Sequence, residues 1–325
     1  MDDDGPTRYW LFRVAALVLL AGALALAQEK EEKTVADTPL LADTTFQNGV
    51  VVWDPKPGKH VDRGVLQPWP GGDKPGWGLA QWHSRSTLAG AKAETLPDGR
   101  VCFADATKRL VFGKDEGVVL SLDGVTEYQR KAPERGDPWP HMLLSQRRLL
   151  HHPSLPELAA VPFHIRYRLL EAEPFKAPGW HDKRHTAQTV FFVTVQNLNR
   201  QSKGYGDYLW FGIMLYDYRW RSPKAHMAPD MGSKKKLGTG KYIYTPAFAR
   251  FSKESPHDKE WMEIEMDLLP MLKEALADAW KRGYLKDSHD IDDYRLGGMN
   301  MGWEITGPIK AAVQIERVSL DARLR

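Results

Sequence analysis

Apolar and polar positions alternate with period two in many short runs, each closed by turn residues. Residues 163–169 are the clearest case. Phe163, Ile165, Tyr167 and Leu169 fall on one side, and His164, Arg166 and Arg168 on the other. Further β-rich runs at 50–53, 79–84, 100–104, 118–122, 189–196, 208–219, 261–266, 299–305 and 312–320 bring the expected total to about ten to twelve strands. Asp123-Gly124 is a hairpin signal, which makes 125–130 the returning strand. One stretch carries a helical period instead. Leu269, Leu272, Leu276 and Trp280 recur at three to four residues, Asp267 is placed to cap, Pro270 fits the first turn, and Gly283 ends the run. A weaker helical candidate covers 154–160. Many strands with one late α-helix predict an all-β chain folded as a two-sheet antiparallel β-sandwich.

The N-terminal pattern differs from the rest. Arg8 and Arg13 precede an unbroken apolar run over 14–27 that ends in Ala25-Leu26-Ala27, and charged residues follow at once. This is the layout of a secretory signal peptide. It is shorter than the roughly 20 apolar residues of an ordinary membrane span. Asp2-Asp3-Asp4 is atypical of such a segment and leaves an uncleaved anchor as the alternative. Residues 28–45 read as a flexible tether and 46–325 as a single domain. The expected location is therefore exported, periplasmic or extracellular, with membrane contact only through the signal segment if it is uncleaved. Cys102 is the only cysteine, so no internal disulfide forms, and it lies in an apolar strand-like run. The formal net charge of +3 is small for 325 residues and gives no case for a nucleic-acid partner. Lys234-Lys235-Lys236, between Gly232 and Gly238, reads as a solvated loop.

Twelve Trp, eleven Tyr and eleven Phe make the faces of the strands the next question. Along 208–220, the even positions are Tyr208, Trp210, Gly212, Met214, Tyr216, Tyr218 and Trp220. The odd positions open with Leu209, Phe211, Ile213 and Leu215 before Asp217 and Arg219, so one face reads as core and the other as an aromatic face with polar tips. Such a face is either a second buried side or a platform on which sugar rings stack. Trp210, Tyr216 and Trp220 are the expected platforms. Trp77, Trp82, Trp139 and His141, all in Pro-rich or polar stretches, are the expected rim.

The run 261–267 places Glu263, Glu265 and Asp267 on one strand face as Glu-x-Glu-x-Asp. It partly resembles the laminarinase-type jelly-roll glycosidases, whose catalytic strand carries Glu-x-Asp-x-Glu. The resemblance implies a nucleophile at Glu263, while the centre and the last acid, Asp267, depart from that pattern; Glu263 and Glu265 are the catalytic candidates taken as a pair. A retaining pair stands about 5–5.5 Å apart. Residues two apart on a strand rise about 6.6 Å, which allows the pair without selecting it. Glu304 is a further carboxylate on a β-rich run, set against Glu263 if the two share a sheet. Asp290 and Asp292 would give calcium two of the six to eight oxygens it takes, so a structural calcium stays open; no other metal or cofactor is expected. The chain has no phosphate-binding, dinucleotide or zinc-protease motif.

In architecture the chain resembles the secreted concanavalin A-like, jelly-roll β-sandwich proteins of bacterial polysaccharide handling. That resemblance implies a carbohydrate-binding protein whose partner is a polysaccharide or oligosaccharide. Two alternatives remain: a glycoside hydrolase or lyase using the same groove, and a non-catalytic cell-envelope structural protein.

Overall fold

The computed structural model describes residues 36–56, 60–232 and 238–325. The expected signal segment, 1–27, and Lys234-Lys235-Lys236 lie outside these residues. The strands are β1 Thr38–Pro39, β2 Val50–Trp53, β3 Asp62–Leu66, β4 Trp77–Ala80, β5 Glu94–Thr95 and β6 Val101–Ala104. They continue as β7 Lys108–Gly113, β8 Gly117–Asp123, β9 His141–Gln146, β10 Leu158–Ala160, β11 Pro162–Pro174 and β12 Ala187–Asn197. The last six are β13 Tyr208–Asp217, β14 His226–Pro229, β15 Tyr242–Thr245, β16 Met262–Asp267, β17 Tyr294–Ile305 and β18 Ile309–Leu324. Among the described residues two α-helices join them, α1 Gly124–Glu127 and α2 Leu269–Lys281.

These strands form two sheets. Sheet A has the order β16-β11-β18-β8-β7-β6-β5, with β1 and β10 also paired to β18. Sheet B has the order β14-β15-β13-β12-β17-β9-β4-β2-β3. All pairs are antiparallel except β13–β15 and β2–β4. Each strand turns its apolar alternation inward, so Phe163, Ile165 and Tyr167 of sheet A meet Phe191, Val193 and Phe211 of sheet B in one continuous core. This is the all-β, two-sheet jelly-roll sandwich that the pattern predicts. Among the described residues no helix is long and apolar enough to cross a membrane.

Three local expectations change and one strand is added to those expected. Residues 124–127 form a helical turn rather than a returning strand, because Asp123 Oδ1 accepts from the Thr126 backbone N–H at 3.0 Å and caps it. Residues 154–160 split into a 3₁₀ turn, Leu155–Glu157, and β10. Within the Pro- and Gly-rich stretch 54–78, Asp62–Leu66 pairs with β2 as an edge strand. Residues 38–45 are not a tether: β1 pairs with β18, and Leu40 and Leu41 are buried in the core.

Helix α2 follows its sequence signals except at its cap, where Leu268 and not Asp267 takes the N-cap position. Asp267 Oδ1 accepts from Leu269 N at 2.9 Å and from Val161 N at 2.7 Å, so one carboxylate ends β16, starts the helix and fastens β11's approach. Leu269, Leu272 and Leu276 then bury one face in the core.

Candidate functional site: the outer face of sheet B

Strand register sorts the outer face of sheet B into rows that cross the strands. One row runs Val51, Gly78, Ser145, Asn300, Phe192, Gly212. The next runs Ala80, Leu143, Gly302, Val190, Met214. The third is polar: His141, Glu304, Gln188, Asp217. Small residues therefore occupy the floor, and rings lie across it. A Cβ on Gly78 would come within 2.0 Å of Trp53 Cζ2, and one on Gly212 within 2.4 Å of Phe192 Cε1. Both rings lie flat over a glycine.

Two aromatic groups result. At one side Trp53, His60, Trp82 and His141 form a chain of edge contacts with ring centroids 4.6, 6.2 and 5.8 Å apart. At the other, Trp210 stands between Phe192 at 6.0 Å and Tyr208 at 5.4 Å. Trp82, Phe192, Met214 and Trp210 are half-buried, which leaves ring surface facing outward. A satellite cluster of Trp53, Ala80, Leu143 and Val190 backs them.

The polar row has defined chemistry. His141 Nδ1 donates to the Trp139 carbonyl at 2.6 Å, and its Nε2 lies 3.6 Å from Glu304 Oε1. Asp217 is buried. It accepts from Thr186 Oγ1 at 2.7 Å, Gln188 Nε2 at 2.9 Å and the Arg219 side chain at 2.5 Å. Burial pushes its carboxyl up, but the Arg219 guanidinium and the other donors override that and hold it below the usual range. Burial also lowers the His60 imidazole, with the Arg147 charge adding to it. Two buried polar atoms of this face, Asn300 Oδ1 and Trp82 Nε1, have no hydrogen-bond partner.

The structure divides the predicted site residues. Trp82, His141 and Trp210 belong to this face. Trp139 is exposed just before β9 and touches it only through its carbonyl bond to His141. Trp220 is exposed beyond the end of β13, where its carbonyl accepts from His257 Nε2 at 3.1 Å. Trp77 is not a rim residue: it opens β4 on the inward side, is buried, and donates Nε1–H to the Asp43 carbonyl at 2.8 Å. Tyr216 is not a platform either. Thr189 pairs with Tyr216 but Val190 with Met214, so Leu215 is an extra residue in β13. That bulge reverses the alternation and turns Tyr216 into the core, 6.0 Å from Trp303.

Glu263 and Glu265 lie on the outer face of sheet A, so the sandwich separates them from the aromatic face and from Glu304. His164 Nε2 donates to Glu263 at 2.7 Å and holds its carboxyl below the usual range. Beside it Arg166 and Arg168 both stack on Trp261, at 4.1 and 4.6 Å. The acidic loop is arranged around donors. Asp290 caps a 3₁₀ turn, and Asp293 accepts from Asn199 Nδ2 at 2.6 Å and Ser288 Oγ at 2.5 Å. Among the described residues no three His, Cys, Asp or Glu are grouped as metal ligands.

The reading by spacing alone missed Trp53, His60, Phe192 and Asn300. Trp53 and Phe192 sit in runs that look like continuous core, and only the cross-strand register puts them outside.

No protein-family model matches the chain, and no curated protein matches it in sequence. Among solved structures, a family 12 xyloglucanase from Bacillus licheniformis is similar at TM-score 0.42 and 8% identity, over 72% of this chain and 97% of that one. The endoglucanase Cel12A from Rhodothermus marinus is similar at TM-score 0.38 and 11% identity, over 72% and 97%. A family 11 xylanase from Neocallimastix patriciarum is similar at TM-score 0.34 and 8% identity, over 71% and 95%.

Proposed function

We propose that the outer face of sheet B binds a polysaccharide chain, and that the protein acts after export. The observation that carries this is the pair of aromatic groups, Trp53–Trp82 and Phe192–Trp210, on one sheet face, with Gly78, Ala80, Ser145 and Asn300 among the residues between them. Flat apolar rings match the C–H faces of sugar rings, and the polar atoms between them match hydroxyls.

Binding is favoured over cleavage by the polar row. Glycosidic hydrolysis uses two carboxyl groups in distinct roles. Glu304 is half-buried beside His141, whereas Asp217 has its oxygens occupied by Thr186, Gln188 and Arg219. A carboxylate so held is a poor general base or nucleophile.

The test is calorimetric titration with soluble xyloglucan, hydroxyethyl cellulose and mixed-linkage glucan, with reducing ends assayed in the same mixtures. Trp82→Ala and Trp210→Ala should each weaken binding by roughly tenfold, in line with loss of a central aromatic anchor. Unchanged affinity in both variants would overturn the reading. Release of reducing ends, abolished in Glu304→Gln, would replace it with a hydrolase.

A further inference from the structure

A polar cluster buried between the sheets ties the loop that carries Trp82 to sheet A. Lys108 opens β7 on its inward side, in step with Leu110 and Phe112, and its side chain is 0% exposed. Its ammonium donates to Ser84 Oγ at 2.6 Å and to the Ser86 carbonyl at 2.9 Å. It also lies 2.9 Å from Asp105 Oδ2 and 3.8 Å from Glu127 Oε1. Glu127, at the end of α1, is equally buried. It accepts from Ser84 Oγ, from the Arg85 backbone N–H at 2.8 Å and from Thr107 Oγ1 at 2.6 Å.

One cation and one anion thus grip three consecutive residues, Ser84, Arg85 and Ser86. Immediately before them, His83 has φ 59°, a left-handed backbone that is uncommon outside glycine, although histidine is among the side chains that tolerate it best. Trp82 precedes it, and its carbonyl accepts from His141 N at 2.9 Å. Buried ion pairs add little net stability over apolar residues of the same shape. What this pair adds is direction, because most of its hydrogen bonds reach the one loop that delivers Trp82 to the aromatic face.

We propose that Lys108 and Glu127 are positioning residues for the glycan-binding face, acting through residues 83–86 to hold the Trp82 ring beside His141 and His60. The proposal rests on the binding function argued above.

The experiment uses the full chain labelled with ¹⁵N-tryptophan, the Trp82 and Trp210 indole resonances being assigned with Trp82→Phe and Trp210→Phe. The principal variant is the neutral pair Lys108→Met with Glu127→Gln, made together with Asp105→Asn so that no lone buried charge is left. It should keep the Trp210 resonance and its cooperative unfolding, while the Trp82 indole signal shifts or broadens. Affinity for the best of the three glucans above should fall about tenfold, and in a Trp82→Ala background the pair change should cost nothing further. An unmoved Trp82 resonance, or losses that simply add, would overturn the proposal. If the pair variant does not fold, Glu127→Asp, which keeps the charge and shortens the reach, should still move the Trp82 signal, and its failure to do so is equally decisive. If wild-type protein binds none of the glucans, the binding reading fails, while the Trp82 resonance still decides whether the pair positions the loop.

Discussion

At Gly78 and Gly212 the absence of a side chain is what makes a flat aromatic face. A methyl group at either would stand inside the ring of Trp53 or Phe192, at 2.0 and 2.4 Å. The ring has to tip up or the strand has to move. Gly78→Ala and Gly212→Ala should therefore each destabilise the protein by about 1–3 kcal/mol, the range for overpacking a close-fitted site, and each should also weaken glycan binding. Urea unfolding and titration of the same samples check both halves. A variant that loses neither would mean that the rings are not held flat. The same scale explains where the aromatic stripe misled. Strict alternation puts Trp210, Met214 and Tyr216 on one face. The first two are there, but the bulge at Leu215 sends Tyr216 inward. Nothing in the local residues announces a bulge, since Leu-Tyr-Asp is as good a strand without one.

Among the elements, those written with a clean period were legible from the chain. Phe163 to Leu169, the run at 208 as far as Met214, and α2 with Gly283 after it stand where their patterns place them. What failed was whatever depends on partners far away in sequence. β1 has only two residues and exists because β18 offers Ala322 and Asp321 to pair with Thr38 and Pro39. Leu40 and Leu41 follow it into the core. A chain started at Phe46, as the tether reading would suggest, should thus lose several kcal/mol relative to one started at Asp37, at about 1.5–3 kcal/mol per buried leucine. Comparing the denaturant midpoints of the two proteins measures this; equal midpoints would return residues 38–45 to a tether. The turn before β12 supplies a pH test. His185 is buried, its Nδ1 accepts from His181 N at 3.0 Å, and its Nε2 donates to the Pro133 carbonyl at 2.9 Å. Burial lowers its pKa from the ordinary 6.5, outweighing the Pro133 bond. The folded protein holds the ring neutral while the unfolded chain takes up a proton first. Its contribution is thus full above about pH 6.5 and is lost as pH falls from there through the lower folded value. Stability should drop between pH 7.5 and 5.5, and His185→Gln should flatten that drop. An identical pH slope in the variant would assign the effect to other groups.

For the whole molecule, the sandwich decides which functions are compatible. Each sheet has one inner and one outer face, so Glu263 and Glu265 on sheet A never meet Trp210 on sheet B, whatever their spacing along the chain. A two-carboxylate site on 261–267 and an aromatic groove cannot be one site, which the sequence could not reveal because sheet membership is a long-range property. The outer face of sheet B, by contrast, is a single surface. Trp53 on β2 and Trp210 on β13 are separated by five strand steps in the order β2, β4, β9, β17, β12, β13. At about 4.8 Å per step that is roughly 24 Å across the sheet. One sugar ring covers only one of the two aromatic groups. A chain of several rings reaches both, and the second contact then costs no further loss of overall translation and rotation. Affinity should consequently rise with oligosaccharide length until the chain spans the face, and level off beyond it. Trp82→Ala and Trp210→Ala should each reduce binding of a long oligosaccharide, while for a short one that engages only one group a single variant carries the whole loss. Calorimetric titration with a graded series of oligosaccharides from the best-bound glucan gives the curve. A disaccharide bound as tightly as a hexasaccharide would mean that the two aromatic groups do not serve one chain, and that Phe192 and Trp210 only pack against each other.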